Sequence, residues 1–348
     1  MRKLAYLLTV MIFMLSMIDH EVYGQMSRRS IKRNNKRIAN YRGKKNDFGK
    51  EKRYNAVGIS LNALNYYGDL SPSPKRISTD LAQTRPALGI SFTHRFGPRY
   101  QLTGSFTYGG IRGSDAESAD PEDANNGAFR YVRNLSFRNR IKELAVIAQV
   151  DLYENQATYI SRVNWTPYAY LGIAVFHHNP QAQVPETDLL GNPFSNAGEW
   201  VNLQPLETEG KSYKLIQPAI PFGLGARFRM NEVMDFSVEF GFRYVFTDYL
   251  DDVSGNYIDL NTFGSDELAK AMSYRSNEVT PDSEPVAAIL NRAPYDYGSF
   301  TVIPGFGHEN TNGLPNLRGQ SGNRDIYMVT TFKLTYIIGK TFHRAKFR

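Results

Sequence analysis

The chain has 348 residues, with 41 Lys and Arg against 34 Asp and Glu, a formal net charge of +7, and 13% aromatic residues. Its mean hydropathy of −0.43 excludes a helical membrane protein but not a barrel, whose lumen and loops are polar. The absence of cysteine excludes a disulfide framework, a thiolate metal site and a lipidated cysteine anchor.

Residues 1–24 have the pattern of a secretory signal peptide. Arg2 and Lys3 supply a charged start, residues 4–17 are almost wholly apolar, and small residues precede a predicted cut ahead of Gln25. The apolar run is too short to span a bilayer as a helix, although an uncleaved anchor is the alternative. The pattern therefore predicts export.

Residues 25–53 form a basic arm. They carry twelve Lys and Arg against Asp47 and Glu51, so about +10, which leaves about −3 for residues 54–348. Such charge runs are typical of disordered tails. The arm is either a solvated tether or a docking arm for an acidic partner. A nucleic-acid partner is not expected, because the arm is exported and lacks interleaved aromatics. The candidate docking residues are Lys32, Arg33, Lys36 and Arg37.

Eight segments after the arm alternate apolar and polar side chains with the period of two that a strand imposes. The strongest places Phe236, Val238, Phe240 and Phe242 on one face and Glu239 on the other. A transmembrane barrel needs this pattern in every strand, with lipid outside and a lumen inside. The predicted strands are 54–67, 86–95, 100–109, 141–153, 165–175, 214–229, 235–247 and 325–339.

Short and long connections alternate along these strands. The short ones are 96–99, 154–162 and 230–234, and the long ones are 68–85, 111–140, 178–213 and 250–324. This alternation is typical of outer-membrane barrels with short periplasmic turns and long extracellular loops. We therefore predict an all-β fold, an eight-stranded antiparallel transmembrane barrel over residues 54–348, with both termini in the periplasm. No amphipathic helix is expected.

Two details refine this prediction. Pro218 and Pro221 interrupt the sixth strand and cannot donate ladder hydrogen bonds, so we expect a bulge or an early strand end there. Aromatic residues cluster near the strand ends, where they would lie at the membrane–water boundary. They are Phe96, Tyr100, Tyr153, Trp165 and Phe228 at the short turns, and Tyr67, Tyr108, Tyr244, Phe246 and Tyr249 towards the long loops.

The inward face of the predicted barrel carries many charges. An eight-stranded barrel has an interior that side chains just fill, and buried charges need partners. We therefore expect an ion-pair network that plugs the lumen; an ion or solute path is the alternative. The candidate residues are Arg95, Glu143, Asp151, Arg227, Arg229, Glu239, Arg243 and Lys333.

No catalytic, cofactor-binding or metal-binding set is predicted. His177 and His178 are adjacent on a strand and point to opposite faces, and Ser237 and His94 do not form a nucleophile–base pair. An acidic cluster suggests either a loop anchor or a calcium site. The loop anchor is preferred because the cluster lacks the glycine and terminal glutamate of an EF-hand. Its members are Asp248, Asp251 and Asp252.

Five segments resemble the PorG family, small outer-membrane barrels of Bacteroidota that belong to the type IX protein secretion machinery. They are NALNYYGDLSP (62–72), FRNRIKELAVIAQVDL (137–152), PYAYLGIAVFHHNPQA (167–182), QPAIPFGLGARFRMN (217–231) and DFSVEFGFRYVFTDYLDDVSGNYID (235–259). The resemblance runs from about residue 54 to 339. It implies a barrel that anchors the periplasmic ring of PorK lipoprotein and PorN. The family pattern does not require the long basic arm.

Two functions are compatible with these observations. The first is a non-enzymatic interaction protein of the outer membrane, with lipid and PorK/PorN-type ring proteins as partners and no small-molecule substrate. The second is a small OmpW-like barrel that binds or transports an apolar ligand. A binding barrel would line its lumen with apolar side chains, whereas charges are predicted here, which favours the first.

Overall fold

The structure, a computed structural model, describes residues 48, 52–70, 83–124, 126–291, 295–297, 300–302, 306–309, 315–322 and 324–338. The predicted signal peptide and the docking residues Lys32, Arg33, Lys36 and Arg37 lie outside this part of the chain. Of the predicted arm, Phe48 is described and buried, with the guanidinium of Arg95 6.0 Å from its ring centroid.

The strands are β1 (Tyr54–Tyr67), β2 (Arg85–Arg95), β3 (Tyr100–Ser114), β4 (Ser136–Asp151), β5 (Trp165–His177), β6 (Pro180–Gln183), β7 (Trp200–Asn202), β8 (Ile216–Arg229), β9 (Met234–Val245), β10 (Tyr295–Tyr297), β11 (Phe300–Val302), β12 (Phe306–Glu309), β13 (Pro315–Leu317) and β14 (Ile326–Ile338). The wall of the barrel runs in the order β1-β2-β3-β4-β5-β8-β9-β14. It closes because β14 pairs antiparallel with β1, from Asn55 opposite Ile338 to Tyr67 opposite Ile326. The predicted closed eight-stranded antiparallel barrel is confirmed.

The two faces of the wall differ as the alternation predicts. Along β9, Ser237, Glu239 and Arg243 are buried inside, whereas Phe240 is 57% exposed outside. Large apolar side chains cover the exterior, and Ile173 is 71% exposed. Such a belt would be unfavourable in water and is what a lipid-facing surface requires. The barrel is therefore of the outer-membrane type.

Two features of the strands differ from prediction: the length of the β3–β4 hairpin and the pairing of β8 near its two prolines. The β3–β4 hairpin continues past the predicted wall, with Ser114 opposite Ser136, because Ile111 and Phe137 turn inward and are buried. The expected bulge or early strand end at Pro218 and Pro221 is wrong. Leu171 faces Phe222 and Ala174 faces Ala219, so the β5–β8 register is the same on both sides of Pro221, although the ladder has no pairs at Ile220 and Pro221 themselves.

The described parts of the long connections form a cap on one end of the barrel, here called the long-loop end; the opposite end is the short-turn end. The expectation of no helices is wrong. The cap contains α1 (Asp115–Ser118), α2 (Gly127–Arg133), α3 (Glu267–Ser273) and α4 (Glu284–Leu290), with 3-10 turns at Gln204–Leu206, Leu260–Phe263 and Ser276–Glu278; a further 3-10 turn, Tyr159–Ser161, lies at the short-turn end. They are too short to show a helical period in sequence. Nowhere in the described part of the chain is a helix both long enough and apolar enough to cross a membrane.

Candidate functional site: the closed lumen and its two ends

Two ion pairs lie in the middle of the lumen, one between distant strands and one between the neighbouring strands β9 and β14. Arg243 of β9 reaches Glu143 of β4 at 3.0 Å, and the Tyr327 hydroxyl donates to the same carboxylate at 2.6 Å. One layer nearer the short-turn end, Glu239 pairs with Lys333 and accepts the Tyr168 hydroxyl at 2.6 Å. Each buried carboxylate thus has a cation and a phenol as partners, which offsets the cost of its desolvation.

A third carboxylate lies nearer the short-turn end. Asp151 is buried and receives Arg95 at 2.8 Å and Arg227 at 3.2 Å. The guanidinium of Arg227 also lies 5.0 Å from the ring centroid of Tyr168, which links this layer to the one above. Seven of the eight predicted lumen residues are therefore in ion pairs inside the barrel. Glu239 is diagonal to Arg227 in register, but its partner is Lys333.

Arg229, the eighth, is not part of this network. It lies at the short-turn rim and donates to the backbone carbonyls of Arg162 at 2.9 Å and Ile160 at 2.8 Å. Its position at the end of β8 explains the difference, since its side chain leaves the lumen where the strand ends. Arg229 secures a turn rather than neutralising a lumen carboxylate.

Two small cavities lie in the described lumen. One of about 20 Å³ lies between Gln101, Gln149 and Lys333, and another of about 10 Å³ lies beside Arg162 and Asp235. A single water needs roughly 10–15 Å³. These two spaces therefore fit isolated waters.

Arg162, which was not among the predicted residues, joins the turns at the short-turn end. It donates to the Asp235 carboxylate at 2.6 Å and to the backbone carbonyls of Glu232 at 2.6 Å and Asn231 at 3.0 Å. The Asn231 side chain in turn accepts from Met234 N at 2.8 Å. The segments 154–164 and 230–234 therefore form one surface, which we call the short-turn platform. Only three-dimensional proximity reveals it, because the two turns are about 70 residues apart in sequence.

Two buried arginines hold the cap. Arg133 makes a bidentate pair with Asp115, both distances being 2.7 Å, and donates to the carbonyl of Arg318 at 2.6 Å. Arg318 pairs with Glu209 at 3.0 Å and donates to the Asp252 carbonyl at 2.5 Å. These contacts join the parts of the cap that carry Asp115, Arg133, Glu209, Asp252 and Arg318, so these parts pack as one body.

Buried aspartates lie where the cap meets the barrel. The Tyr66 hydroxyl lies 2.6 Å from Asp251 and 2.7 Å from Asp325, and Asp252 accepts from Tyr213 at 2.6 Å. Burial, followed by mutual repulsion, raises the pKa of Asp251 well above its usual range, and burial raises the pKa of Asp325 similarly. Burial also raises the pKa of Asp248 to about 7.

These aspartates anchor loops. No group of three or more His, Asp or Glu residues in the described chain is arranged to hold a metal ion. His178 is buried beside the Lys214 carbonyl, at 3.2 Å, and desolvation lowers its pKa to about 4. It stacks on Tyr213 with ring centroids 6.1 Å apart, whereas His177 lies at the end of β5.

The sequence matches one family model, Domain of unknown function (DUF6089), over residues 47–274, more than half of the chain. The chain belongs to the DUF6089 family. The match covers the barrel from before β1 through β9 and includes α3 of the cap. No protein of curated function matches the sequence.

Solved structures similar to this DUF6089 protein are small outer-membrane proteins. Ail of Yersinia pestis, in complex with the heparin analogue sucrose octasulfate, is 7% identical with a TM-score of 0.33, and the match covers 82% of this chain and 99% of that chain. Neisserial surface protein A is 6% identical with a TM-score of 0.33, covering 81% and 96%. OprG from Pseudomonas aeruginosa is 8% identical with a TM-score of 0.30, covering 83% and 98%.

Proposed function

We propose that this DUF6089 protein is a non-enzymatic outer-membrane component that anchors a periplasmic protein assembly, the PorK/PorN-type ring of type IX secretion that its resemblance to the PorG family implies. The observation that supports this most is the closed lumen. Asp151, Glu143 and Glu239 form buried ion pairs inside it, and two small cavities beside them measure about 20 Å³ and about 10 Å³. A barrel without a passage acts through its surfaces.

The short-turn platform is the proposed docking surface, with the short-turn end and both termini in the periplasm. Arg162 and Arg229 fix its backbone, so a partner would meet a preorganised surface and lose less free energy to ordering it. Its exposed apolar side chains suit a protein contact: Ile160 is 42%, Val163 47% and Met230 61% exposed.

The alternative function, binding or transport of a small apolar ligand, has less support. The described lumen combines buried ion pairs with a packed cluster of aliphatic and aromatic side chains that includes Leu64, Tyr170 and Phe176, and the two small cavities in it fit isolated waters. An apolar ligand would have to displace the partners of a buried carboxylate such as Glu143, which costs more than its own burial returns. We therefore assign no small-molecule substrate and no catalytic role.

Copurification from native membranes tests the anchoring role. Ile160→Asp with Met230→Asp places two charges on the platform, and Leu190→Asp is the matched control, because Leu190 is 64% exposed at the long-loop end. We expect the platform variant to lose the ring proteins while the control retains them. Retention by both variants, or copurification of no ring protein with the wild type, would refute the anchoring role.

The closed lumen predicts weak or absent single-channel conductance in planar bilayers. Arg243→Ala with Glu143→Ala removes one ion pair and two long side chains from the middle of the lumen. This variant should conduct more than the wild type. Robust conductance by the wild-type protein would contradict the closed lumen on which the proposal rests.

A further inference from the structure

We infer that the outer wall of the barrel carries a binding site for a phosphorylated, multiply acylated glycolipid of the lipid A type, on β2, β3 and β4 at the long-loop end. The site is a groove of about 580 Å³ on the lipid-facing surface. Leu88, Tyr108, Gly109 and Gly110 line it between Arg85 and Arg140, and we call it the basic groove. It lies outside the lumen and away from the short-turn platform.

The floor of the basic groove is apolar and open to lipid. Leu88 is 63% exposed and Tyr108 is 43% exposed, on the face that also carries Leu144. Gly110 leaves room above the sheet, because a Cβ there would meet only the Asn139 carbonyl, at 3.5 Å. An acyl chain can therefore lie against the backbone at Gly110, where any larger side chain would fill the space.

Basic residues border the groove on the side of the cap. Arg140 and Lys142 lie on the outward face of β4 and are exposed, opposite Gly110 and Tyr108 of β3. Arg85 begins β2 near Arg112, whose like charge repels it, and near Glu117, whose opposite charge partly compensates; Arg138 and Arg140 also repel each other. Like charges gathered on one face are unfavourable unless an anion compensates for them.

Few carboxylates compensate for this charge. Within the described residues, Arg112 pairs with Glu117, but none of Arg85, Arg140 and Lys142 has an ion-pair partner. Two strand spacings separate β2 from β4, so Arg85 and Arg140 stand roughly 10 Å apart across the groove. Basic groups beside an apolar lipid-facing surface recognise anionic lipid headgroups. The arrangement fits phosphates that flank an acylated sugar.

The choice of glycolipid over phospholipid follows from the end of the barrel at which the groove lies. With the long-loop end outward, as in the proposed function, the groove is at headgroup level in the outer leaflet. The inference rests on that orientation but not on the anchoring of a ring. Several acyl chains attached to one headgroup also match a broad groove better than a single pair of chains.

Native mass spectrometry of the full exported protein, purified in detergent, tests this site. The probes are bisphosphorylated lipid A, the same lipid after removal of its phosphates, and phosphatidylglycerol. We expect the wild type to retain bisphosphorylated lipid A preferentially. Arg140→Gln with Lys142→Gln should weaken that retention roughly 30-fold, at about 1 kcal/mol for each charge near the lipid surface.

Two further variants separate charge from shape. Gly110→Phe fills the groove without changing a charge and should also lose lipid A. Arg99→Gln removes one exposed charge at the short-turn end and should retain lipid A as the wild type does, in contrast to Arg140→Gln. Heat-modifiable migration on gels verifies folding of each variant. Two results would overturn the inference, whatever the outcome of ring copurification. One is that all variants retain bisphosphorylated lipid A equally; the other is that the wild type retains dephosphorylated lipid A or phosphatidylglycerol as well as it retains bisphosphorylated lipid A.

Discussion

At the scale of single residues, the lumen charges act in groups rather than as isolated pairs. Glu143 has Arg243 and the Tyr327 hydroxyl, and Glu239 has Lys333 and the Tyr168 hydroxyl. A lone buried carboxylate is costly, whereas a carboxylate with a cation and a phenol is compensated. The cost of removing a residue therefore depends on what it leaves behind.

Arg243→Met tests this dependence. The variant leaves Glu143 buried without its cation, so we expect a loss of about 3–5 kcal/mol in the free energy of unfolding. Adding Glu143→Gln should recover much of this loss, because an amide needs no counter-charge. The urea midpoint of the heat-modifiable folded band measures the loss in Arg243→Met and its recovery in the double variant. Arg229→Met, which removes three hydrogen bonds to backbone carbonyls at the rim, is the control and should cost less. An Arg243→Met midpoint equal to that of Arg229→Met would contradict the compensated network.

Asp248 gives the cap a dependence on pH. Burial raises its pKa to about 7 in the folded protein, against about 3.9 in an unfolded chain. The folded cap therefore binds a proton that the unfolded chain releases between these values. This stabilisation is complete below about pH 4 and is lost as the pH rises through about 7.

Hydrogen exchange of residues 250–291, corrected for intrinsic rates, should therefore show less protection at pH 8 than at pH 6. Asp248→Asn stays neutral and should reduce this difference. Asp251 and Asp325, whose pKa values are also raised, account for the remainder. Asp120→Asn, at an exposed position in the cap, should leave the difference unchanged. Protection that increases with pH in the wild type would show that the sign is wrong.

At the scale of strands, two facing glycines of β8 and β9 leave space for the Tyr170 side chain. Gly223 lies directly opposite Gly241, and a Cβ on Gly241 would fall 1.9 Å from the Tyr170 hydroxyl and 2.6 Å from the Phe222 carbonyl. Both are too close for a carbon atom, and the second is backbone that cannot rotate away. The inward-facing glycines thus make room for the Tyr170 ring.

Gly241→Ala should therefore destabilise the barrel by about 1–3 kcal/mol, as overpacking of a filled core does. Gly104→Ala is a matched control, since Gly104 lies in β3 and a Cβ there would meet nothing within 4 Å. Thermal midpoints of the heat-modifiable band, measured on both variants, distinguish crowding from a general effect of replacing a strand glycine. Equal midpoints would exclude crowding at Gly241.

The same scale shows what the sequence could predict. The wall follows from a period of two repeated over ten or so residues, which is a strong signal in Phe236, Phe240 and their neighbours. The cap gives no such signal, because α3 spans Glu267–Ser273, about two turns. Local signs of the cap helices are their N-cap residues: Asp266 accepts from Ala269 N at 2.9 Å and caps α3, and Ser283 accepts from Val286 N at 3.3 Å and caps α4. Charge alternation predicts which lumen residues face inward, but it cannot show that Arg229 leaves the lumen at the rim.

At the scale of the whole molecule, three surfaces serve three environments. The proposed arrangement has the cap outside the cell, the apolar belt and the basic groove in lipid, and the short-turn platform in the periplasm. Phe48 packs beside Arg95 at the short-turn end, and Arg53 donates to the Phe48 carbonyl at 3.3 Å. Phe48 and Arg53, which precede β1, therefore lie at the short-turn end, on the same side as the proposed docking surface.

The basic arm should then assist docking while the platform gives specificity. Twelve positive charges in residues 25–53 attract an acidic partner over a distance that salt limits to about 8 Å at physiological ionic strength. Such attraction raises the association rate more than the affinity. Replacing Lys32, Arg33, Lys36 and Arg37 with Gln should therefore slow ring assembly and make it less sensitive to salt. Pulse-labelled recovery of ring proteins with the membrane, at low and raised salt, measures the rate of ring assembly and its dependence on salt. If ring retention and export are unchanged at either salt concentration, the arm is a tether and docking depends on the platform alone.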